Sequence, residues 1–521
     1  MTAPAVPDEP VVRLAEVVAA LSLATDLGLG QPQEHVLRQT VIASRLAGAA
    51  GLSEDERAAT FYVSLLAWVG CVADSHELAR WFGDDTRVRG ASYAVDRAGL
   101  PMMRFLLGQL DGGSAWGRFT LTGRFLINGF RDMMASLTAH CQATAVTVAG
   151  FHVPEQVQRA LPQVLERWDG KGGPGGLAGT QIEAVMRVAH IASETEVALR
   201  IGGFDAALAM LRERSGSQFD PGLVDVCRAR ADDIFADIDG EDAWAVVIAG
   251  CAPLDRPLIE SELNDALDTL ADYADLKSPW FTGHSRAVSG LAERAAIRMG
   301  LPSAEVDIVR SAGLVGRLGT IGVSAAVLNK PGPLSRMESE RIRTVPYLTE
   351  RILGRQSRLA QFGAVAAMAY ERVNGSGYPR GLSGSAIPRT ARVLAAAVAY
   401  QAMRSPRPYR DPLQPAAAAA VLLDGVRAGV FDPAAAAAVL AEAGHQVPRR
   451  QSSIAGLTGR ELEVLDLLVR GRSNRQIADA LTLSPKTVGS HVEHIYAKTG
   501  VSTRGALAMF AMRNGLIEAR A

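Results

Sequence analysis

Cysteine is scarce. Four occur in 521 residues (Cys71, Cys141, Cys227 and Cys251), and none has C-x-x-C spacing. That excludes a disulfide scaffold and the common zinc motifs, and it points to reduced, packed thiols in a cytoplasmic protein. No apolar run is long enough to span a bilayer, so no membrane partner is expected. The start, MTAPAVPDEPVVRL, has no basic residue ahead of an apolar core, so no secretory signal is read there. A dominant charge is lacking too: 54 Lys and Arg face 55 Asp and Glu, for a net charge of −1. A chain that is basic throughout is thereby excluded. No convincing alternating pattern marks a strand. No acidic pair with a later lysine after strands marks a receiver domain, so control by aspartyl phosphorylation is not expected.

What is present is helical. Apolar residues make up 48% of the chain, ample for packed cores, and the length suggests about three domains. Apolar positions recur at helical spacing between glycine and proline punctuation. The alanine tracts Ala416–Ala420 and Ala434–Ala438 are short and sit in amphipathic contexts, so they read as close-packed helices.

The densest pattern comes last. Leu457 to Ile517 reads as four short helices. Thr458 with Glu461, and Ser473 with Gln476, form capping boxes. Ser484 caps the third helix, with Pro485 at its first position. Gly471 and Gly500 suit left-handed helix ends. Leu462, Leu465, Leu468 and Val469 share one face of the first helix, and Ile477, Ala480 and Leu481 one face of the second. On the third, Val488, Val492 and Ile495 face a core. Thr487, His491, His494 and Lys498 lie opposite, with Lys486 and Ser490 at the edge. Hydroxyl, imidazole and ammonium groups on one helix face suit phosphates and base edges in a DNA major groove. Arg475 and Arg504 are candidates for backbone contacts. From Leu457 onward nine Lys and Arg face six Asp and Glu, a mildly basic balance.

Several separated pieces keep register here: Leu457-Thr458-x-Arg460-Glu461, Ser473-Asn474-x-x-Ile477-Ala478, Ser484-x-x-Thr487-Val488, His491 and Gly500-Val501. On these residues the stretch resembles the helix-turn-helix domain of LuxR-type bacterial transcription regulators. The resemblance implies double-stranded DNA as a partner, read by the third helix. It also implies a homodimer paired through the last helix (Ala506, Leu507, Met509, Phe510). One departure stands out: Gly489 occupies a position where the family often has Lys or Arg. Residues 446–453, with Pro448 and Arg449-Arg450, read as a linker, and residues 454–521 as the DNA-binding domain.

Upstream, the chain reads as two copies of one helical unit. The first covers residues 11–251, with an insertion at about 72–139, and the second covers residues 254–445. His35 through Gly51-Leu52 to Glu56 matches His284 through Gly300-Leu301 to Glu305. Glu166-Arg167-Trp168-Asp169-Gly170 matches Glu371-Arg372-Val373-Asn374-Gly375. Pro174, Leu177, Ile182, Arg187 and Val188 match Pro379, Leu382, Ile387, Arg392 and Val393. Phe219-Asp220-Pro221 and Phe431-Asp432-Pro433 close the two copies.

In the second copy, LNKPGPLS (Leu328 to Ser335), ERVNGSGYPRGL (Glu371 to Leu382), Ile387-Pro388, Ala391-Arg392 and RPYRDPL (Arg407 to Leu413) resemble an HD-GYP domain. That family is helical and hydrolyses cyclic dinucleotides with a metal cluster of His, Asp and Glu. The expected fold class is therefore all-α: tandem HD-like helical domains followed by a four-helix LuxR-type helix-turn-helix domain.

The resemblance places the family's ligands at positions where this chain carries other residues. The His-Asp pair falls on Gly316-Arg317 in the second copy and Ala67-Trp68 in the first. The next His falls on Val345, the His-His pair on Ala369-Tyr370 and Val164-Leu165, and the late Asp on Val398 and Ser193. No His-Asp and no His-His dipeptide occurs anywhere. Metal-dependent phosphodiester hydrolysis needs metals held by such groups. The reading from these positions is a chain that is not an enzyme, with no catalytic residue, cofactor or metal. Its HD units would serve for dimerisation or for a small-molecule or nucleotide effector. The alternative is a metal-dependent cyclic-dinucleotide phosphodiesterase with a DNA-binding output domain. A residual single-metal site from His35, His140 and one of Asp74, His76, Glu77, Asp84 or Asp85 is weighed less heavily than capping and core hydrogen bonding. Lys330, Arg380 and Arg392 are minor candidates for lining a phosphate-binding cleft.

Overall fold

The computed structural model describes residues 11–96, 99–110, 115–240, 242–250, 256–445, 456–501 and 504–513. Cys251 and the linker residues Pro448, Arg449 and Arg450 lie outside the described residues, as does the side chain of Met509. Among the described residues the chain is helical throughout, with only isolated bridges such as Asn374 to Ser383 in place of strands. The all-α expectation holds. No single described helix is long and apolar enough to cross a membrane. The chain divides into two compact units, Met1–His445 and Gln446–Ala521.

Two local frameworks in the first unit are built alike. In one, the His35–Ala49 helix packs on Glu54–Leu66 and on Ala184–Arg214. In the other, His284–Arg298 packs on Ser303–Val315 and on Arg389–Arg404. Each begins after a left-handed residue, Glu34 (φ 75°) or Gly283 (φ 71°). Each helix start is held by a buried carboxylate nine residues before its histidine. Asp26 accepts from Val36 N at 2.9 Å, and Asp275 from Ser285 N at 2.9 Å. A carboxylate on free N–H groups at a helix N-terminus satisfies donors that the helix itself cannot. Burial outweighs those bonds and holds both carboxyls above their ordinary pKa.

The segment 72–139 folds into short helices, Ser75–Phe82, Asp85–Ser92 and Gly99–Gln109, and the start of the long helix Ala115–Ala149. Trp81, Phe82, Val88, Leu106, Leu110 and Phe125 give it an apolar cluster of its own.

In the second unit, Gly459–Val469, Asn474–Leu481, Pro485–Thr499 and Arg504–Arg513 are the four tail helices. Their core gathers Leu465, Leu468, Ile477, Val488, Ile495 and Leu507. Two sequence positions differ from the expected faces: Ala480 on the second helix is exposed, and Val464 on the first, outside the expected set, is buried. An eight-residue helix buries only the residues aimed at its neighbours, here Ile477 and Ala478.

Candidate functional site

The tail caps form as the sequence spells them. Thr458 Oγ1 accepts from Glu461 N at 3.3 Å, and Glu461 Oε2 accepts from Thr458 N at 2.7 Å. Ser473 and Gln476 repeat the exchange at 3.3 and 3.0 Å. Ser484 Oγ accepts from Thr487 N at 3.0 Å. The caps fix where the third helix begins and hence which side chains leave its outer face. Lys486, Thr487, Ser490 and His494 are exposed there, and His491 is half-buried. Arg475 is exposed near the start of the second helix. The end groups of Lys486, His491 and Arg475 have no side-chain partner among the described residues.

Thr487 Oγ1 lies 2.8 Å from Ser484 Oγ, Ser490 Oγ donates to Lys486 O at 3.4 Å, and His494 Nδ1 stands 3.8 Å from Glu461. Lys498 and Arg504 are the two candidates held inside the tail by close bonds to distant residues. Lys498 Nζ lies 2.7 and 3.0 Å from the carboxylate of buried Glu461. Burial works to raise the Glu461 pKa, but Lys498 and the Thr458 N–H overcome it and hold the group at about 2. Arg504 donates from Nε to Leu468 O at 2.7 Å and from Nη2 to Arg472 O at 2.6 Å, closing the end of the first tail helix. A cation there satisfies carbonyls that have no helical partner. The spacing of Lys498 and Arg504 carried no sign of these long-range partners.

In the first unit, two loops share one construction. Glu166 accepts from Gly175 N at 2.6 Å and Leu177 N at 3.0 Å. Glu371 accepts from Arg380 N at 2.7 Å and Leu382 N at 2.9 Å. Gly377 must be glycine: a Cβ there would lie 2.4 Å from Arg372 N, and at Gly172 one would lie 2.5 Å from Arg167 N. Arg187 pairs with Asp220, and Arg392 with Asp432 at 3.1 Å. Lys330 and Arg380, suggested for a phosphate cleft, pair with Glu338 at 2.7 Å and Glu350 at 2.5 Å.

His284 sits among cations. Its Nδ1 is 3.3 Å from Ser405 Oγ. The guanidinium carbons of Arg317 and Arg407 lie 3.6 and 5.0 Å from the centroid of the Phe281 ring beside it. Burial first, then those two cations, push the His284 pKa down to about 2. Burial and Arg317 bring Arg407 down to about 10. The space left against His284, Arg317, Tyr370 and Val398 is about 20 Å³.

The polar groups of the other copy are dispersed. His35 bonds to Glu196, whose carboxylate also takes Arg38 Nε at 3.1 Å. Asp74 pairs with Arg89 at 2.6 Å, and Asp85 with Lys277 at 2.6 Å. Asp84 caps the Asp85–Ser92 helix, His76 meets Asn329 at 3.1 Å, and Glu77 is exposed. Among the described residues no three His, Cys, Asp or Glu side chains stand together as a metal-holding group.

Comparison with known proteins sorts these features. Residues 455–511 match the family model of bacterial regulatory proteins of the luxR family. Residues 268–435 match the HD domain model. Beyond those models, the chain is 26% identical over 431 residues to 3'3'-cGAMP-specific phosphodiesterase 3 of Vibrio cholerae serotype O1. That alignment covers 82% of this chain and 94% of that protein. A crystal structure of a cyclic GMP-AMP-specific phosphodiesterase of V. cholerae matches with a TM-score of 0.58 and 26% identity. It covers 84% of this chain and 99% of that one. The cyclic di-GMP phosphodiesterase response regulator RpfG of Xanthomonas campestris pv. campestris is 34% identical over 184 residues, and the chain spans about half its length (48%).

These relatives correct one expectation. The chain was read as no enzyme from the residues at aligned ligand positions. Similarity to named phosphodiesterases over most of its length overturns that reading. Residues read at aligned ligand positions do not by themselves establish that an activity is absent. The luxR tail and the HD segment stand as expected.

Proposed function

We propose that this chain is a DNA-binding transcription regulator of the cytoplasm. Its luxR tail reads double-stranded DNA, and its HD part acts on or responds to a cyclic dinucleotide. The observation that carries the reading is the outer face of the Pro485–Thr499 helix. Lys486, Thr487, Ser490, His491 and His494 leave that face together, and Arg475 flanks it. A helix with polar and cationic groups on one face and Val488 and Ile495 on the other suits insertion into a major groove. Lys498 and Arg504 contribute by holding the tail together. Two tails bound as a homodimer would meet two half-sites, with Ala506 and Phe510 on the pairing helix and Leu507 buried in the tail's own core. The matched Glu166 and Glu371 loops support an origin of residues 11–251 and 254–445 in one duplicated unit.

Binding of the full-length protein to DNA tests this reading. Lys486→Ala is expected to weaken binding to every sequence and to lower the slope of log affinity against log salt by about one unit. An unchanged slope removes Lys486 from the phosphate contacts. His491→Ala is expected instead to cost about 1–3 kcal/mol on the best site and little on random DNA. Equal losses on both would show that His491 reads no base.

A second reading, favoured by the similarity to phosphodiesterases, makes the tail the output arm of a cyclic-dinucleotide hydrolase. Divalent-metal content of the purified protein, paired with turnover of 3'3'-cGAMP and cyclic di-GMP, separates the two. Stoichiometric metal with turnover selects the hydrolase. Binding of a cyclic dinucleotide without turnover selects the sensor.

A further inference from the structure

A cavity of about 670 Å³ lies in the first half of the upstream unit, away from the space beside His284. Its walls come from the Gly99–Gln109 helix, the Ala115–Ala149 helix and the Glu166 loop. They are mainly apolar, with Trp68, Met102, Phe105 and Leu137 among them. The charged side chains at the wall are already matched. Arg89 donates to Asp74 at 2.6 Å, Arg167 to Asp96 at 2.6 Å and to Asp169 at 3.2 Å, and Lys171 stands 3.6 Å from Asp169 at the rim. Glu194 takes Arg214 at 3.2 Å, and Glu166 holds its two backbone N–H groups.

Two buried polar atoms at this wall lack a partner, His140 Nε2 and Arg89 Nε. The His140 side chain is buried (2% exposed), with the backbone of Ala67 beside its other ring nitrogen. Burial pushes its pKa down to about 4, with Asp74 opposing and Arg89 adding, so the ring is neutral at pH 7. A backbone acceptor on the Ala67 side favours the tautomer with its proton there, which leaves Nε2 as an acceptor. An orphan acceptor in an apolar wall is unfavourable until something donates to it.

We propose that this cavity binds an uncharged, largely apolar aromatic molecule whose N–H or O–H donates to His140 Nε2. A cyclic dinucleotide carries two phosphodiester charges. The lining cations Arg89 and Arg167 are already charge-paired with Asp74, Asp96 and Asp169, and Arg89 Nε alone could not compensate two buried phosphodiester charges. Trp68, Val164 and Leu165 place this cavity at the first copy's counterpart of the family's ligand positions, so a cyclic dinucleotide read by the HD part would bind elsewhere in the upstream unit.

The test is a fluorescence titration of the full-length protein with N-phenyl-1-naphthylamine, a neutral diaryl amine with one N–H. The expected result is one saturable site per chain with blue-shifted emission, unmoved by excess 3'3'-cGAMP or cyclic di-GMP. His140→Leu, which keeps the apolar volume and removes the acceptor, is expected to weaken binding at least tenfold. Met103→Trp changes a lining residue that is 41% exposed, so folding tolerates it, and it fills the space. It is expected to weaken binding at least tenfold as well, and it decides the matter if His140→Leu does not fold. Absence of a single saturable site, undiminished binding in Met103→Trp, or displacement by either cyclic dinucleotide would overturn the proposal. Titration with the cyclic dinucleotides alone reports separately on the proposed function.

Discussion

Lys277→Ala is expected to destabilise the upstream unit by about 3–5 kcal/mol, the usual result of leaving one member of a buried ion pair alone. Lys277 is 1% exposed and Asp85 0%. Nζ donates to Asp85 Oδ2 at 2.6 Å and to Ser75 Oγ at 3.3 Å. The other carboxylate oxygen accepts from Ser324 Oγ at 3.0 Å and Ala325 N at 2.8 Å. Burial alone would raise the Asp85 pKa, but Lys277 and Arg89 bring it below its ordinary value. Without Lys277 the carboxylate keeps two neutral donors and the more distant Arg89, and it loses the counter-charge bonded to it. The pair also ties the 72–139 segment to the half that carries His284, so the loss reaches beyond one contact. Urea unfolding of the full chain measures it as a lower midpoint with an unchanged slope. The double variant Asp85→Asn/Lys277→Met is expected to recover much of the loss, because a buried pair replaced by uncharged groups of similar volume is often near neutral. A midpoint shift worth less than about 1 kcal/mol in Lys277→Ala would place the pair in solvent-like surroundings.

The second large effect is on acid stability. His284 is buried beside two guanidinium groups, with its folded pKa near 2 against about 6.5 for an unfolded histidine. The unfolded chain therefore binds a proton that the folded chain refuses. The stability contribution is complete above pH 6.5 and falls as the pH drops from there toward the folded value. Between pH 6.5 and 4.5 this one group costs about 2.5 kcal/mol. Asp26 and Asp275, whose pKa values are raised, bind protons on folding and act in the opposite sense. The clean measurement is consequently a difference between proteins. His284→Gln is expected to flatten the pH dependence of unfolding free energy by about 2.5 kcal/mol across that window. Parallel curves for the two proteins would mean that His284 takes up its proton in the folded state.

The tail was legible because its signals are local. Thr458, Ser473 and Ser484 each meet partners three residues on, a distance that a sequence displays directly. Val488 and Ile495 lie seven residues apart, two helical turns, and both are fully buried. The intramolecular partners of Lys498 and Arg504 were not legible, for the converse reason. Their partners Glu461 and Leu468 stand 37 and 36 residues away, and nothing in a helical face predicts such a return. The same holds upstream. The paired loops were visible as repeated motifs, but the carboxylates that hold their backbone were not separable from surviving metal ligands until Glu166 and Glu371 were seen to accept two N–H groups each.

By itself the sequence determined a helical chain, a helix-turn-helix with its caps, and an HD-type segment. These follow from periodicity, capping residues and loop glycines, all of which act over a few residues. Only the tertiary structure decided which charges are free. Packing brought Asp85 to Lys277, Asp74 to Arg89 and Glu461 to Lys498. It left Lys486 and Arg475 facing outward, and it left His140 Nε2 unpartnered at an apolar cavity. Whether a polar group pairs, binds or stays solvated depends on which distant atoms come within about 3 Å of it, and that is settled only when the helices pack.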